Sequence, residues 1–344
     1  MPNDQLDQDA IRDTLTSGLV DRYRVDRQIG HGAMGIVYLA HDVRHDRSVA
    51  IKVLLPHVAS AIGAERFLRE IQITARLTHP HIVPLLDSGE VDGFLFFVVP
   101  FMAGESLRST VAVTAIQAVG GNVALSSNAP SVTEAVPKDL ARPLEEVLRV
   151  VREIGEALDF AHRSNIVHRD VKPDNVFLVD GHAILGDFGL ARATDAVGEK
   201  ALTESGVALG SPGYMSPEQA FGARTLDSRS DQCGLACLVY ELVTGELPFQ
   251  SGVASILRAH VEAPPPNACD INRDLPKAVG RVLQRAMAKD PNGRFRSVLT
   301  FVDALEEAAN VTRPVFSFTV VAVITVTAVV LSGLALLVGT LLSR

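Results

Sequence analysis

Residues 168–175 read HRDVKPDN, and residues 187–189 read DFG. The apolar run at 176–179 predicts a short strand between the two motifs. Two further motifs precede this pair in the chain, at 30–37 and 49–52. The order and spacing of the four motifs decide the fold assignment, because each of them taken singly has a simpler explanation.

The first upstream motif is rich in glycine. Residues 30–37 read GHGAMGIV and lie between two strand-like runs, which predicts a hairpin tip. A dinucleotide-binding fold would instead place such glycines between a strand and a helix. A hairpin tip can fold over phosphates, because glycine lets backbone N–H groups approach them closely. Alone the motif is weak, since chance or a dinucleotide fold also explains it.

The second upstream motif carries a lysine. Residues 49–52 read VAIK, and Glu70 lies on the next predicted helix. A Lys52–Glu70 ion pair would hold the ammonium against the α- and β-phosphates of a nucleotide. The alternative for a lysine that points out of an apolar strand is a solvated edge charge.

Together the four motifs resemble the eukaryotic-type (Hanks-type) serine/threonine protein kinases of bacteria, over about residues 23–308. The resemblance implies an α+β, bilobal, protein-kinase-like fold over 23–309. A small β-rich N-lobe would occupy 23–99, a hinge 100–103, and a large, mainly helical C-lobe 104–309. The main departure is an insertion at 110–142, which is rich in Ala, Val, Ser and Gly and has no clear period.

The apolar periodicity agrees with this division. The pattern predicts a buried strand at 94–99 and helices at 64–77, 144–161, 231–243, 279–287 and 298–309.

The resemblance assigns catalytic or metal-binding roles to six side chains, and it implies ATP and Mg²⁺ as cofactors. Asp170 would accept a hydrogen bond from the substrate hydroxyl and orient it, and Lys172 would neutralise charge on the transferring phosphoryl group. Asn175 and Asp187 would supply hard oxygen ligands for Mg²⁺. Lys52, with Glu70, would hold the triphosphate.

The resemblance also places the nucleotide. Val37 and Ala50 would cap the purine from above, and Phe177 would support it from below. Many relatives have Glu where this chain has Pro100, which offers only its carbonyl; the donor to adenine would be the N–H of Met102. The whole predicted nucleotide set is Ile29, Gly30, Gly32, Gly35, Val37, Ala50, Lys52, Val99, Pro100, Met102 and Phe177.

Residues 202–218 resemble an activation segment and the loop that docks a substrate peptide. Lys172 and Ser211 match the Ser/Thr class and not the Tyr class, and Ser211 would bridge Asp170 and Lys172. Glu218 would pair with Arg294 and staple the segment to the C-lobe.

Two further residues would hold and control the catalytic loop. Asp231 would support the loop from below, and Arg169 would be neutralised by a phosphate on the activation segment. Thr203 and Ser205 are the nearest acceptors, so autophosphorylation is predicted there. The alternative is that both are ordinary loop hydroxyls.

Charge and the N-terminus exclude some classes of protein. A formal net charge of −8 disfavours a nucleic-acid binder. Residues 1–22 lack the charged-then-apolar pattern of a signal peptide and are predicted to be a mobile lead-in that could contain a short helix.

The C-terminal part predicts a membrane anchor. Residues 315–342 carry no charge and would form a helix of about 42 Å, longer than the roughly 30 Å hydrocarbon core of a bilayer. Residues 310–314 would be the juxtamembrane connection. Because ATP is cytoplasmic, the predicted location is the cytoplasmic (inner) membrane, single-pass, with the kinase domain in the cytoplasm. A stripe of small side chains predicts a homodimer, although a plain anchor explains it too: Thr325, Ala328, Ser332, Ala335 and Gly339.

The function predicted from these observations is ATP-dependent phosphorylation of Ser and Thr in protein substrates. Two alternatives belong to other classes. One is a catalytically inactive kinase fold that serves as a membrane scaffold, which loss of Lys52, Asp170 or Asp187 would have indicated. The other is a small-molecule kinase, which the substrate-docking loop disfavours.

Overall fold

The computed structural model describes residues 2–32, 34–109, 141–188, 211–223 and 225–310. Its strands are β1 (Tyr23–Gly32), β2 (Gly35–Asp42), β3 (Arg47–Leu54), β4 (Asp87–Val91), β5 (Phe94–Pro100), β6 (Glu105–Ser106), β7 (Val176–Val179) and β8 (His182–Leu185). Its α-helices are α1 (Pro2–Gly18), α2 (Pro56–Ile62), α3 (Ala64–Thr74), α4 (Leu144–Arg163), α5 (Pro217–Ala220), α6 (Ser228–Thr244), α7 (Val253–Glu262), α8 (Ala268–Ile271), α9 (Lys277–Ala286) and α10 (Val298–Asn310). Short 3₁₀ turns lie at Pro173–Asn175, Pro212–Tyr214 and Pro291–Gly293.

The N-lobe is an antiparallel sheet in the order β1-β2-β3-β5-β4. Val37 lies opposite Lys52 and Leu39 opposite Ala50, and on the other side of β3 Ala50 faces Val99. Because side chains alternate along a strand, these residues share one face of the sheet. That face is the one that looks toward the C-lobe cleft, since it carries Lys52.

The opposite face of the sheet is covered by α1, and this corrects the predicted mobile lead-in. Ile11, Leu15 and Leu19 are 5%, 0% and 3% exposed and pack in one cluster with Tyr38 and Ile51. A step of four residues puts Ile11 and Leu15 on one side of α1, and Leu19, in the turn just after the helix, continues that apolar side. Most residues of the segment are polar, so the few apolar residues that form the stripe do not stand out in the sequence. The stripe is buried because it packs against the sheet.

The C-lobe is helical around α6, which is buried along nearly its whole length. Asp227 caps the N-terminus of α6, since its side chain accepts a hydrogen bond from the N–H of Arg229. Gly245 ends the helix in the left-handed conformation at φ 76°, where glycine is unstrained. The helices α4, α9 and α10 pack against α6, and α10 also packs against α4 and α9.

The two lobes meet where the connection from α3 to β4 crosses β8. Ile82 forms a parallel bridge with Leu185. The N–H of Val83 donates to the carbonyl oxygen of Leu185 at 2.9 Å. The N–H of Leu185 donates to the carbonyl oxygen of His81, also at 2.9 Å. This contact fixes the end of β8 beneath the N-lobe, next to the residues that follow it, Gly186 and Asp187.

The predicted bilobal α+β fold is therefore confirmed, including the helices near 64–77, 144–161, 231–243, 279–287 and 298–309. No helix in the part of the chain described here has the length and apolar character needed to cross a membrane. The predicted span at 315–342 lies outside that part, as does the insertion except for residues 141 and 142.

Candidate active site

A buried carboxylate on α6 holds the HRD segment. The side chain of Asp231 accepts hydrogen bonds from the N–H groups of His168 at 2.8 Å and Arg169 at 2.6 Å. The ring nitrogen Nε2 of His162 lies 2.7 Å from the same carboxylate. Burial alone would raise the pKa of Asp231, but the hydrogen bond and charge of His162 hold it below its ordinary value. The structure thus places Asp231 beneath the catalytic loop.

The imidazole of His168 connects this loop to the DFG segment. Its Nε2 lies 2.8 Å from the carbonyl oxygen of Gly186, and its Nδ1 accepts the N–H of Asp170 at 3.2 Å. The ring also packs edge-on against Phe188, with centroids 4.5 Å apart. One fully buried side chain therefore sets the separation between Asp170 and the residues around Asp187.

Three of the predicted catalytic side chains touch one another. Lys172 Nζ lies 2.7 Å from Asp170 Oδ2. Asn175 Nδ2 donates to the carbonyl of Asp170 at 2.8 Å and to its Oδ2 at 3.1 Å. The N–H of Gly186 donates to the carbonyl of Asn175 at 2.8 Å, which ties this group to the DFG segment.

Lys52 reaches this group across the cleft, but with a different partner from the predicted one. Its Nζ lies 2.7 Å from Asp187 Oδ2. The predicted Lys52–Glu70 ion pair is not among the salt bridges of the described residues; Glu70 is 8% exposed on α3 and is not without a partner. Burial opposes ionisation of Asp187, yet Lys52 at contact distance, with Lys172 nearby, holds its pKa below the ordinary value. The ion pair between Lys52 and Asp187 therefore joins the N-lobe to the C-lobe.

The wall of the cleft carries the predicted purine-binding residues. Val37 and Ala50 lie on the cleft face of the N-lobe sheet, as the strand register shows. Phe177 lies on β7 in the C-lobe sheet, and a Cβ at Gly186 would be 2.9 Å from its ring. The glycine motif forms the β1–β2 hairpin, with Gly32 opposite Gly35.

Gly35 is required by close packing. A Cβ there would lie 2.3 Å from the carbonyl oxygen of Val53, so no larger residue fits without moving β3. Gly30 faces Val37 across the hairpin, and Ile29 beside it is 37% exposed. Pro100 ends β5 opposite Val49, and Met102 follows in the hinge, half-buried.

The docking loop is bound to the C-lobe by Glu218. Arg294 Nη2 lies 2.7 Å from Glu218 Oε2, and Nη1 lies 2.8 Å from Oε1, a bidentate pair. The hydroxyl of Ser230 donates to Glu218 at 2.7 Å. The predicted bridge from Ser211 to Asp170 and Lys172 is not among the hydrogen bonds of the described residues, where Lys172 contacts Asp170 directly. Gln219 Nε2 donates to the carbonyl of Arg169 at 2.7 Å and joins the docking and catalytic loops.

The sequence reasoning missed a second buried charge cluster beside the catalytic loop. Arg108 Nη1 donates to Glu241 Oε1 at 2.8 Å, and Arg108 Nη2 donates to the Tyr214 hydroxyl. That hydroxyl in turn donates to Glu241 Oε2 at 2.5 Å. Asp174 lies 3.6 Å from Arg108 Nε. Burial and the Glu241 charge raise the pKa of Tyr214 well above its ordinary value. The one signal in the sequence was a lone acid, Glu241, within an apolar helix, which predicts a buried partner.

Gly189, Thr203 and Ser205 lie outside the described residues. Within the described ranges, no cluster of three or more His, Cys, Asp or Glu side chains could hold a metal by itself. That fits Mg²⁺, which is bound in phosphoryl-transfer sites by one or two protein side chains together with substrate phosphates and water.

Comparison with known proteins agrees with this geometry. Residues 23–302 match the sequence profile of the family described as protein kinase domain. The chain is 34% identical over 295 residues to serine/threonine-protein kinase PknJ of Mycobacterium bovis, which covers 83% of this chain and 45% of that protein. It is 35% identical over 290 residues to serine/threonine-protein kinase PknD of Mycobacterium tuberculosis, covering 83% of this chain and 39% of that protein.

A solved structure is similar in fold as well as in sequence. The crystal structure of the Mycobacterium tuberculosis PknI kinase domain aligns with a TM-score of 0.62 and 32% identity, covering 83% of this chain and 96% of that one. The chain spans less than half the length of the curated relatives named above.

Proposed function

The chain belongs to the protein kinase domain family, and on that premise we propose that it transfers the γ-phosphoryl group of ATP to Ser and Thr hydroxyls of proteins. One observation carries the proposal: Lys52 from the N-lobe and Asp170, Lys172, Asn175 and Asp187 from the C-lobe converge through contacts of 2.7 to 3.1 Å. None of the residues whose loss would indicate an inactive scaffold is missing.

The residues of the site divide the work between positioning and charge neutralisation. Asp170 accepts the hydrogen bond of the attacking hydroxyl and turns its oxygen toward the phosphorus. Lys172, already beside Asp170, neutralises negative charge that builds on the transferring group. Lys52 holds the α- and β-phosphates. Phosphoryl transfer needs little covalent participation by the protein, and therefore these groups suffice.

The donor set fits Mg²⁺. Asn175 commits its Nδ2 to Asp170, which leaves the amide oxygen as the atom available to a cation. Asp187 is held ionised by the neighbouring ammonium groups, as a metal ligand must be. Amide and carboxylate oxygens are the ligands that Mg²⁺ prefers, and the ion would neutralise charge on the β- and γ-phosphates.

The test is an Asp170→Asn variant incubated with radiolabelled ATP and a generic basic protein. We expect phosphate incorporation to fall about 10²–10⁴-fold, the usual contribution of a positioned acid–base group, with labelled Ser and Thr but no labelled Tyr in the wild-type product. Asp180→Asn is the matched control, because Asp180 is an exposed turn residue with φ 51° that Asn also tolerates. Equal activity of the Asp170→Asn variant and the wild type would refute the proposal.

Autophosphorylation at Thr203 and Ser205 is part of this proposal. It is supported by the position of Arg169, which precedes Asp170 and connects through Gln219 to the docking loop. A phosphate on the activation segment could accept charge-assisted hydrogen bonds from the guanidinium of Arg169. A Thr203→Ala/Ser205→Ala double variant that retains full activity and full self-labelling would remove this part.

We also propose that residues 315–342 anchor the chain in the cytoplasmic membrane, with the kinase domain in the cytoplasm and the small-residue stripe pairing two copies. The support is the length and lack of charge of that run. Alkaline carbonate should leave the full chain in the membrane fraction, and cross-linking in membranes should capture a dimer. Extraction by carbonate would refute the anchor, and a monomer alone would refute the pairing.

A further inference from the structure

One face of the C-lobe carries basic side chains that phosphoryl transfer does not use. Lys277, Arg281 and Arg285 follow one another at four-residue steps on α9, so they project from the same side of the helix, and all three are exposed. Arg273 before α9 and Arg296 after it are exposed as well. We call these five residues the basic surface. No salt bridge of the described residues involves any of them.

Acidic residues lie at both ends of this surface: Asp270 and Asp274 before α9 and Asp290 after it are exposed, whereas α9 itself carries no acidic residue. Asp303 and Glu306 on α10 are engaged by Arg152 of α4, at 2.8 and 2.9 Å. Glu307 alone joins Arg281 in lining the groove of about 350 Å³ between α9 and α10. Along α9 itself, three basic side chains and no acidic one make a positive face in a chain of formal net charge −8, and such a face is a candidate binding surface for an anionic partner.

The position of the basic surface indicates which partner. Arg285 stacks on Phe295 at 4.1 Å, and Phe295 contacts Phe301 near the start of α10. The Arg285 end of α9 therefore lies beside the start of α10, which leaves the Lys277 end toward Asn310. Only four residues, 311–314, lie between Asn310 and the uncharged run at 315–342. The five Cα–Cα steps from 310 to 315, fully extended, span at most about 17 Å.

We propose that the basic surface docks on anionic phospholipid headgroups in the cytoplasmic leaflet of the membrane that the chain's own apolar segment would span. The inference rests on the proposed membrane anchor and is independent of catalysis. Arg and Lys donate charge-assisted hydrogen bonds to headgroup phosphates. Each basic residue at an anionic bilayer surface strengthens such binding about fivefold. Docking would hold the C-lobe against the bilayer in one orientation.

The test measures chemical protection of arginines in the full chain, reconstituted in nanodiscs. Phenylglyoxal modification is followed by mass spectrometry, in phosphatidylcholine alone and in phosphatidylcholine mixed with phosphatidylglycerol. Arg273 and Arg281 report on the basic surface, while Arg24 and Arg44, exposed on the N-lobe, report on the far side of the molecule. We expect anionic lipid to slow modification of Arg273 and Arg281 at least fivefold or so, to leave Arg24 and Arg44 unchanged, and to lose its effect at high salt.

A pair of matched variants separates this surface from general attraction to lipid. Lys277→Gln/Arg281→Gln removes two charges from the basic surface, and Arg24→Gln/Arg44→Gln removes two from the N-lobe. Protection of Arg273 should disappear in the first variant and persist in the second. Arg285 is left in place because its guanidinium packs on Phe295.

Each other outcome refutes the proposal. Equal modification rates of Arg273 and Arg281 in both lipids exclude headgroup binding. Protection that persists without anionic lipid would mean that another part of the protein, such as residues 311–314, covers these arginines. Protection of Arg24 and Arg44 to the same degree indicates nonspecific attraction. Extraction of the chain by carbonate removes the premise. Phosphorylation of a generic substrate in detergent is assayed separately, so a failure of lipid docking is distinguishable from a failure of the kinase activity.

Discussion

At the scale of single residues, the catalytic loop depends on strained backbone that buried side chains hold in place. Arg169 and Asp187 adopt φ values of 69° and 60°, in the left-handed region that costs a non-glycine residue about 1–3 kcal/mol. Asp231 offsets the strain at Arg169 by accepting a hydrogen bond from its N–H at 2.6 Å. The ion pair with Lys52 restrains the side chain of Asp187. Arg169 directly precedes Asp170, and Asp187 is itself a predicted metal ligand. The left-handed backbone at these two positions therefore helps to present Asp170 and Asp187 to the cleft.

His260 on α7 should make the protein sensitive to mild acid. It is 1% exposed, packs edge-on against Phe249 at 4.8 Å, and lies beside the carbonyls of Pro212 and Gly213 and the ammonium of Lys289. Burial, reinforced by Lys289, lowers the pKa of His260 to about 4. The unfolded chain, with an ordinary histidine pKa near 6.5, binds the proton more readily between pH ~6.5 and ~4.

The free energy of unfolding should therefore fall as the pH drops through that window. The loss due to His260 should reach about 3 kcal/mol, and above the window the contribution of His260 to stability should be complete. Urea unfolding of wild type and His260→Phe at several pH values checks this. The variant should lose less stability on acidification than the wild type does. Parallel pH profiles for the two proteins would contradict the assignment.

At the scale of elements, the helix α1 acts as an outer layer of the N-lobe sheet. It lies before residue 23, where the match to the family begins. The Arg22 guanidinium pairs with Asp87 of β4, and the Tyr23 hydroxyl donates to the same carboxylate at 2.8 Å. These contacts continue the packing of Leu15 and Leu19 toward the sheet edge. An N-lobe that started at residue 23 would expose apolar residues such as Ile36 and Tyr38.

A substitution in α1 should therefore destabilise the N-lobe although α1 carries no catalytic group. Leu15→Ala removes a fully buried side chain and should cost about 2–5 kcal/mol in thermal or urea unfolding. Val20→Ala is the matched control, because Val20 is 65% exposed and its truncation should change stability by no more than about 0.5 kcal/mol. Equal stability of the two variants would mean that α1 does not pack on the sheet.

At the scale of the whole molecule, ion pairs join segments that are far apart in the chain. Lys52 and Asp187 connect the lobes, and Glu218 and Arg294 connect the docking loop to the base of the C-lobe. Burial works against ionisation of Glu218, but hydrogen bonds and charge from Arg294 hold its pKa below the ordinary value. The shape of the docking surface therefore depends on a pair that no local segment contains.

Removing one partner of the Glu218–Arg294 pair should lower the free energy of unfolding. Arg294 is 3% exposed, so Arg294→Met leaves Glu218 ionised without its partner and should reduce stability by about 3–5 kcal/mol. Glu218→Leu/Arg294→Met should recover part of the loss, because the double variant leaves no unpaired charge. Urea unfolding of both variants measures the difference. A double variant no more stable than Arg294→Met would indicate that packing, not the unpaired charge, causes the loss.

The sequence by itself determined the class of fold and the main elements around the site. Motif order, glycine spacing and apolar periodicity act over short stretches of chain, and they predicted the β1–β2 hairpin, β5, and helices α3, α4, α6, α9 and α10. They also singled out Asp170, Lys172, Asn175 and Asp187, which the fold brings together.

Only the tertiary structure decided which partners those residues have. The contact of Lys52 with Asp187, the burial of α1 and the cluster of Arg108, Tyr214 and Glu241 depend on distances between segments remote in the chain. Lys52 and Asp187, for example, are 135 positions apart. A local pattern specifies which chemical groups are present. The energy of an ion pair or a buried contact depends on separation and exposure in space, and those quantities exist only once the lobes have packed.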